Sequence, residues 1–426
     1  MTDSIAILPC GPVRGVIRPP GSKSITNRAL ACAALAEGES RLTGALDSED
    51  TQVMVDSLRR LGIAVQHDPE QAALTIAGCG GRIPNQGAEL FVGNSGTTIR
   101  FLTALVALGA GTFRLDGVPR MRERPIADLL ATLQEFGVDA QSETDNGRPP
   151  VVVRAAGLRG GASTVRGDIS SQFLSGLLLA APYAQQPVDL HVAGRLVSKP
   201  YIEITLAVMR SFGVTAHAAA DFSRFQLPAP QHYRGTDYAI EPDASAASYF
   251  FAAAAITGGE VTVEGLSQNS LQGDIQFCEC LRQMGCEVRY AADRTTVVGR
   301  PLRGIQVDMN AISDTVQTLG AVALFAQGPT EITHVGHIRH KETDRIGDLA
   351  RELRKLGAAV DEAADGLTIT PRTLHGAAID TYRDHRMAMS LALAGLKIAG
   401  VSINDPGCTA KTYPRFFDDL FRLTAG

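Results

Sequence analysis

Similar units of about seventy residues follow one another six times along this chain, and this repetition restricts its fold more than any other feature. One phrase, an apolar helix end followed by Gly and the start of a strand, occurs five times. Its glycines are 72 to 76 residues apart: Gly62, Gly137, Gly213, Gly285 and Gly357. Glycine is favoured at the left-handed position that ends a helix, and β-branched residues after it favour a strand. The period is too long for a solenoid and predicts a small α/β unit with two helices and several strands.

A second phrase alternates with the first. It consists of a polar entry, an Ala/Leu-rich helix, a Gly and an alternating strand, and it occurs at Gly21–Gly44, Gly93–Gly117, Gly167–Gly194, Pro242–Gly265, Asn310–Gly336 and Tyr382–Pro406. The last unit is incomplete, because no strand follows its second helix near Phe416–Leu423. Two strand patterns, at Ile5–Leu8 and Val13–Arg18, precede the first unit. We therefore expect the N-terminal strands to complete the sixth unit.

If the N-terminal strands complete the sixth unit, the chain forms two α/β domains of three units each. One is continuous and covers residues 21–240; the other is discontinuous and combines residues 1–20 with 241–426. Linkers near Pro19 and at Tyr238–Pro242 would form a double hinge, with a cleft between the domains.

Composition narrows the class of protein. Among 426 residues, 45% are hydrophobic and 20% are charged, as in ordinary globular proteins. The net charge of −5 lacks the basic excess of a nucleic-acid binder, so local clusters of cations have to meet any anionic partner. Seven cysteines without a CxxC pair favour a reducing compartment over disulfides or a zinc site. No leader pattern is visible and the apolar runs are short, so we expect a cytoplasmic protein, with a monomer as the default.

The entries to the apolar helices carry small polar residues together with cations. Backbone N–H groups and the helix dipole at such entries favour phosphate or carboxylate. N-capping alone explains most Ser and Asp at these places, but it does not explain the cations Lys23, Arg28, Arg100 and Arg386. The set therefore predicts binding of an anionic ligand.

Three further phrases add charged side chains. Arg122 and Arg124 precede a helix, where cations oppose the dipole, and an anionic ligand would resolve that conflict. Glu342 and Arg345 are spaced as an i,i+3 pair, which taken alone indicates an ordinary solvated helix. Lys411 lies in a loop before the last helix and taken alone indicates a surface lysine.

Together these phrases resemble the EPSP synthase (3-phosphoshikimate 1-carboxyvinyltransferase) family, from about residue 19 to about residue 418. The matching motifs are Pro20–Arg28, Gly93–Thr97, Arg122–Pro125, Ser170–Gln172, Ser198–Tyr201, Lys341–Arg345, Asp384–Arg386 and Thr409–Lys411. The resemblance implies two α/β domains, each of three βαβαββ repeats around a pseudo-threefold axis (an inside-out α/β barrel), with an interdomain cleft. This agrees with the repeat count.

The resemblance also implies an activity, the transfer of the enolpyruvyl group of phosphoenolpyruvate to the 5-hydroxyl of shikimate 3-phosphate in the shikimate pathway. Asp314 is implied as the base and Glu342 as the acid, and no metal or cofactor is implied. Residues implied to bind phosphoenolpyruvate are Lys23, Gly96, Arg124, Gln172, Arg345, Arg386 and Lys411. Residues implied to bind shikimate 3-phosphate are Lys23, Ser24, Arg28, Ser170, Ser171, Gln172, Ser198, Asp314, His337 and Lys341. At His337 the family pattern has Asn, and a His ring nitrogen can also donate a hydrogen bond.

Two other functions stay open at this point. A UDP-N-acetylglucosamine enolpyruvyl transferase shares the fold, but that family has Lys-Asn where this chain has Lys23-Ser24, and a loop Cys that is absent from residues 120–125. An RNA 3′-phosphate cyclase is built on related repeats, but the acidic charge balance and the absence of Trp disfavour it.

Overall fold

The computed structural model describes residues 4–425. Their contacts divide the chain into two compact units: the continuous unit, Gly21–Ile240, and the discontinuous unit, which combines the described residues up to Pro20 with those from Glu241 onward. Among the described residues, no helix has the length and apolar character needed to cross a membrane.

The chain begins with two short strands, β1 (Ser4–Ile7) and β2 (Arg14–Ile17), and then enters the continuous unit. Its first repeat contains α1 (Lys23–Leu35), β3 (Glu39–Thr43), α2 (Glu49–Arg60), β4 (Ala64–Asp68) and β5 (Ala73–Ala77). The second contains β6 (Gly87–Phe91), α3 (Gly96–Val106), β7 (Ala110–Asp116), α4 (Ala127–Glu135), β8 (Asp139–Ser142) and β9 (Val151–Ala156). The third contains β10 (Gly161–Arg166), α5 (Ser171–Ala180), β11 (Val188–Ala193), α6 (Lys199–Ser211), β12 (His217–Ala218) and β13 (Arg224–Leu227), and β14 (Asp237–Ala239) follows it.

The discontinuous unit continues the pattern. Its fourth repeat contains α7 (Ala244–Thr257), β15 (Glu260–Glu264), α8 (Phe277–Gln283), β16 (Glu287–Tyr290) and β17 (Arg294–Val298). The fifth contains β18 (Gln306–Asp308), α9 (Val316–Ala323), β19 (Thr330–Thr333), α10 (Arg345–Lys355), β20 (Ala359–Ala363) and β21 (Gly366–Thr370). The sixth contains β22 (Ala378–Ile379), α11 (His385–Gly395), β23 (Val401–Asn404) and α12 (Phe416–Thr424).

Each repeat has its own sheet; among the described residues five of these sheets have four strands in one common order, and that of the sixth repeat, β1-β23-β22, has three. In the second repeat the strand order is β6-β7-β9-β8, with β6 parallel to β7 and the later pairs antiparallel. The third and fifth repeats have the same order, β10-β11-β13-β12 and β18-β19-β21-β20. A parallel pair needs a crossover helix, whereas the final antiparallel pair needs only a turn. The repeat is therefore the βαβαββ unit expected above.

The repeats at the unit boundaries obtain a strand from a distant part of the chain. The strand β14 lies parallel to β3 and so supplies the first strand of the first repeat. At the N-terminus, β1 pairs with β23 of the sixth repeat, as expected, but β2 lies parallel to β15 of the fourth repeat. The prediction that both N-terminal strands complete the sixth unit is thus wrong for β2. The fourth repeat begins at α7 and has no first strand of its own, and β2 fills that edge.

The core of each unit is a trio of apolar helices that contact one another in pairs. These are α1, α3 and α5 in the continuous unit, and α7, α9 and α11 in the discontinuous unit. Every residue of α3 and α7 is buried, which fits helices that are apolar on all sides. Three equivalent helices inside and one sheet for each repeat confirm the predicted pseudo-threefold α/β fold.

The repeat glycines lie where the sequence predicts them. All five have φ between 85° and 117°, the left-handed range that side chains disfavour. Each follows the second helix of its repeat and turns the chain into the next strand, so this prediction is confirmed.

Gly176 of α5 tests the close packing of the core. A Cβ atom built there lies 2.8 Å from the carbonyl oxygen of Arg100 in α3, so the two helices have to move apart to accept it. We expect Gly176→Ala to lower the free energy of unfolding in urea by about 1–3 kcal/mol, the usual cost of overpacking. Gly11→Ala is the control, because nothing lies within 4 Å of its Cβ position. Equal stabilities of the two variants would contradict this packing.

Candidate active site

In the discontinuous unit, the carboxylate of Asp314 lies among three cations. Its Oδ1 is 2.5 Å from Lys341 Nζ and 3.2 Å from an Arg345 guanidinium nitrogen, and its Oδ2 is 2.7 Å from an Arg386 nitrogen. Asp314 lies in a 3₁₀ turn, Ser313–Thr315, that leads into α9, while the three cations come from the starts of α10 and α11 and the segment before α10. The starts of the core helices α9 and α11 and of the outer helix α10 thus bring these four side chains together.

Arg345 is the centre of this cluster. Besides Asp314, it contacts Glu342 at 2.9 Å and makes two hydrogen bonds to Asp384, of 2.7 and 3.2 Å. Although burial disfavours its charge, the carboxylates of Asp384, Glu342 and Asp314 raise the pKa of Arg345, which therefore stays charged. Asp384 also caps α11, because its Oδ1 accepts from the backbone N–H of Arg386 at 2.9 Å.

The burial of the Glu342–Arg345 pair and of Lys411 contradicts what each segment indicates when taken alone. The Glu342–Arg345 pair exists, but Arg345 is 1% exposed and Glu342 8% exposed, so this is not a solvated surface pair. Lys411 is 6% exposed at the end of a 3₁₀ turn, Pro406–Lys411, and is not a surface lysine. Charged side chains are seldom buried to this extent without partners or a ligand.

The environment of Lys341 differs from that of Arg345. Burial lowers the pKa of the Lys341 ammonium, which the carboxylate of Asp314 partly offsets. Its Nζ also lies 3.3 Å from Ser313 Oγ. A desolvated ammonium group gains strongly from an additional anionic partner, which makes Lys341 suitable for binding one.

His337 lies in the 3₁₀ turn Gly336–His340, one turn before Lys341. Burial lowers its pKa to about 3, and the charge of Lys341 adds to this effect. His337 is therefore neutral at pH 7, and a neutral imidazole retains one N–H donor and one acceptor.

In the continuous unit, Arg28 of α1 is held inside the fold. Its nitrogens donate to Thr205 Oγ1 at 2.7 Å, to the Ser24 carbonyl at 2.8 Å and to Ser175 Oγ at 3.2 Å, and burial lowers its pKa to about 10. These contacts join α1, α5 and α6. The ligand role of Arg28 stays a prediction.

Lys23 and Ser170 lie at helix entries, as the sequence predicts. Lys23 is the first residue of α1, behind the N-cap Ser22, and its Nζ is 3.2 Å from Asp50 of α2. Ser170 is the N-cap of α5 and accepts from the backbone N–H of Gln172, with Ser171 as the first helical residue between them.

Arg100 orients Gln172. It donates to Gln172 Oε1 at 2.6 Å and to the Pro125 carbonyl at 3.1 Å, while Gln172 Nε2 donates to Thr97 Oγ1 at 3.2 Å. The Arg100 guanidinium lies 5.2 Å from the ring centre of Phe173. These contacts fix the orientation of the Gln172 amide relative to α3.

Arg124 is 4% exposed and lies beside Gly96. It donates to the carbonyl of Asn94 at 3.1 Å. A Cβ atom on Gly96 would overlap Arg124 and lie 2.8 Å from an Arg100 nitrogen, so only glycine leaves both guanidinium groups in place.

Arg122 departs from the sequence interpretation. The anion expected to resolve its conflict with the helix dipole is Asp116, whose two oxygens accept from Arg122 at 2.9 and 2.7 Å. Arg122 is thus satisfied within the fold, and a ligand is not needed to explain it. The spacing between Asp116 and Arg122 gave no signal, because they come from a strand and a separate turn.

Ser198 is the N-cap of α6 and has a left-handed backbone, with φ of 53°. It is buried, and Tyr201 N–H donates to its carbonyl. Strained backbone of this kind often occurs at functional sites.

Sequence reasoning gave no role to Asp50 and Asp384, which hold candidate ligands, and it predicted Arg100 only as an anion-binding cation, whereas the structure shows it donating to Gln172. Arg100 and Asp384 do lie in the helix-entry phrases, which was the available signal. Asp50 had none, because it begins a different helix.

Comparison with known proteins identifies the family. The model of the EPSP synthase (3-phosphoshikimate 1-carboxyvinyltransferase) family matches residues 7–420. The chain belongs to the EPSP synthase family. It is 50% identical to the 3-phosphoshikimate 1-carboxyvinyltransferase of Trichormus variabilis over 99% of both chains. It is 45% identical to that of Vibrio atlanticus, over 99% of this chain and all of the other.

A solved structure supports the same conclusion for the fold. EPSP synthase from Acinetobacter baumannii superposes with a TM-score of 0.81 at 27% identity, over 99% of this chain and 98% of that one. The family resemblance predicted from the motifs is therefore confirmed, and the two alternative families are not favoured.

The lowered pKa of His337 predicts a dependence of stability on pH. The unfolded chain takes up a proton on this imidazole near pH 6.5, whereas the folded chain does so only near pH 3. Below pH 6.5 the unfolded state binds more protons, so His337 makes the fold less stable as the pH falls. We expect the free energy of unfolding of His337→Asn to fall less steeply than that of the native chain between pH 6.5 and 4, by up to about 1.4 kcal/mol per pH unit. Urea unfolding at several pH values checks this, and parallel curves would contradict it.

Proposed function

We propose that this chain transfers the enolpyruvyl group of phosphoenolpyruvate to the 5-hydroxyl of shikimate 3-phosphate, releasing phosphate. The observation that carries the proposal is the cluster around Asp314, in which one carboxylate faces three cations and a second carboxylate, Glu342, contacts one of them. The activity requires a base, an acid and charge stabilisation for two anionic substrates. The names of the relatives support the same activity.

The proposed ligands of phosphoenolpyruvate are the buried cations described above, with Gly96 and Gln172. Lys23 and Arg124 belong to the continuous unit, and Arg345, Arg386 and Lys411 to the discontinuous unit. Guanidinium groups suit phosphate and carboxylate because their planar forks bind both oxygens of an anion at once.

The proposed ligands of shikimate 3-phosphate include three hydroxyl groups, from Ser24, Ser170 and Ser171, which can donate to a phosphate. Ser198, Gln172, Lys23 and Arg28 complete the set in the continuous unit, and Asp314, His337 and Lys341 complete it in the discontinuous unit. Since His337 is neutral, it contributes a hydrogen bond rather than a charge.

The proposed reaction is an addition followed by an elimination. The carboxylate of Asp314 takes the proton of the 5-hydroxyl as its oxygen bonds to C2 of phosphoenolpyruvate, and Glu342 gives a proton to the methylene carbon, which becomes a methyl group. In the resulting tetrahedral adduct, C2 carries both the new ether oxygen and the phosphate. Elimination returns a proton from the methyl group to the Glu342 carboxylate, re-forms the double bond and breaks the bond between C2 and the phosphate oxygen. The departing phosphate takes the proton that Asp314 had accepted, so both carboxyl groups return to their starting states.

The cations have a second role in this scheme. Before substrates bind, Arg345 and Arg386 neutralise Asp314. An arriving phosphate or carboxylate competes for the same nitrogens, and each contact that it takes from Asp314 makes that carboxylate a stronger base. Substrate binding and activation of the base are thereby coupled.

The cytoplasmic location and the monomeric state predicted from the sequence stay predictions. No contact among the described residues bears on either of them.

A phosphate-release assay tests the proposed function. We expect release with phosphoenolpyruvate plus shikimate 3-phosphate, and none when UDP-N-acetylglucosamine replaces shikimate 3-phosphate. The reverse pattern would identify the sister enolpyruvyl transferase, and release with neither acceptor would refute both activities.

Glu342→Gln tests the proposed acid. The change keeps the size of the side chain but removes the transferable proton, so we expect kcat to fall by roughly 10²–10⁴-fold. Substrate binding should change far less, because Lys23, Arg124 and Lys411 are untouched. Steady-state kinetics with both substrates check this.

Glu362→Gln is the matched control. Glu362 also pairs with an arginine, Arg339, at 2.9 Å, but it is exposed and lies on β20. Its kcat should equal that of the native chain. If Glu342→Gln behaves like this control, Glu342 is only an ion-pair partner and the acid has to be sought elsewhere.

Gly96→Ala tests the position of Arg124. The new methyl group displaces the guanidinium groups of Arg124 and Arg100, so we expect the KM for phosphoenolpyruvate to rise by about tenfold or more and the KM for shikimate 3-phosphate to change less. An unchanged KM for phosphoenolpyruvate would remove Arg124 from the proposed ligands.

A further inference from the structure

The turn that precedes α11 has an unfavourable backbone. Thr381–Asp384 is a tight turn closed by a hydrogen bond of 2.8 Å from Asp384 N–H to the Thr381 carbonyl. Both of its central residues, Tyr382 and Arg383, have φ of 54°. Turns with two such positions favour Asn-Gly, because side chains on larger residues crowd the backbone in this conformation. Something outside the turn therefore has to hold it.

A buried glutamate of α10 supplies that anchor. Glu352 is 0% exposed, and its Oε1 accepts from the Tyr382 hydroxyl at 2.5 Å. Its Oε2 accepts from the backbone N–H of Asp380 at 3.0 Å and lies 2.9 Å from Lys355 Nζ. One carboxylate thus binds the chain on both sides of Thr381.

Arg351, on the same helix, holds Tyr382 from the other side. Its guanidinium lies 5.6 Å from the centre of the Tyr382 ring and donates to the hydroxyl at 3.2 Å. It also pairs with Asp348. The phenol ring of Tyr382 is therefore fixed at its face and at its hydroxyl.

What the turn places is Asp384, the residue between the two arginines of the candidate site. Asp384 accepts from Nε and a terminal nitrogen of Arg345 and from the backbone N–H of Arg386. A shift of the turn would move this carboxylate and, with it, the alignment of both guanidinium groups with Asp314.

We propose that Glu352 and Tyr382 are positioning residues, which hold the strained turn Thr381–Asp384 so that Asp384 aligns Arg345 and Arg386 for an anionic substrate group. The identity of that group, in phosphoenolpyruvate, rests on the proposed function. The positioning itself depends only on contacts within the discontinuous unit.

Tyr382→Phe is the first test, because it keeps the ring over Arg351 and removes only the hydroxyl. We expect its KM for phosphoenolpyruvate to rise about tenfold, the loss expected when a hydrogen bond to a charged group no longer fixes the binding geometry. Its KM for shikimate 3-phosphate should stay within about twofold. Equal KM values for the native chain and Tyr382→Phe would overturn the proposal.

A second substitution separates positioning from general destabilisation. Arg383 is exposed, and glycine adopts its φ without strain, so Arg383→Gly relaxes the turn. This variant alone should keep native kinetics. In Tyr382→Phe/Arg383→Gly the anchor matters less, and the KM for phosphoenolpyruvate should return to within about threefold of native. If the double variant keeps the raised KM, the turn is not what Tyr382 positions.

Hydrogen exchange measures the local stability of the turn in the absence of substrate. Mass spectrometry of the full-length protein should show faster amide exchange in residues 381–388 of Tyr382→Phe, and native exchange in the double variant. The two experiments therefore test different hypotheses. A native chain that releases no phosphate refutes the proposed function, whereas amide exchange that Tyr382→Phe leaves unchanged refutes the positioning role. Glu352→Gln, which weakens the same hydrogen bond, carries the same expectations if Tyr382→Phe does not fold.

Discussion

The interaction on which the site of the discontinuous unit depends is the contact of one carboxylate, Asp314, with Lys341, Arg345 and Arg386. Two buried cations, Arg345 and Arg386, and the half-buried Lys341 would repel one another strongly without it, because charges in a poorly hydrated environment interact over longer distances than in water. Asp314 is thus the shared counter-ion of these three cations. The fold makes this possible by placing the starts of α9 and α10, from the fifth repeat, and of α11, from the sixth, close to one another.

The repeated unit and the polar helix entries could be predicted from the sequence, because each gives a local sequence pattern. The repeat glycines indicate left-handed helix ends, and the polar helix entries with their cations predict an anion-binding site. Both patterns involve residues that are close together in the chain. For this reason the sequence predicts a repeated α/β unit and a set of candidate anion-binding residues, while the βαβαββ order of the unit follows from the family resemblance.

The errors came from contacts between distant segments. Strand β2 joins the fourth repeat rather than the sixth, because the open edge that it fills is set by where the chain crosses between units. Arg122 finds its anion in Asp116, on a strand that the motif does not include. The spacing of Glu342 and Arg345 in the sequence predicted their ion pair but not its burial. Burial matters because an exposed ion pair contributes little energy. Glu352 carries no motif at all.

We propose that Asp314 occupies the cations that a substrate anion later takes over. Thermal unfolding of the native chain and of Asp314→Asn, titrated with inorganic phosphate, tests it most directly, because the rise in Tm that a ligand of the folded state causes depends on the ratio of its concentration to its Kd. Removal of the internal counter-ion should let phosphate bind more tightly, so Asp314→Asn should reach the same rise in Tm at a phosphate concentration about tenfold lower. An equal or higher phosphate requirement in Asp314→Asn would contradict the claim.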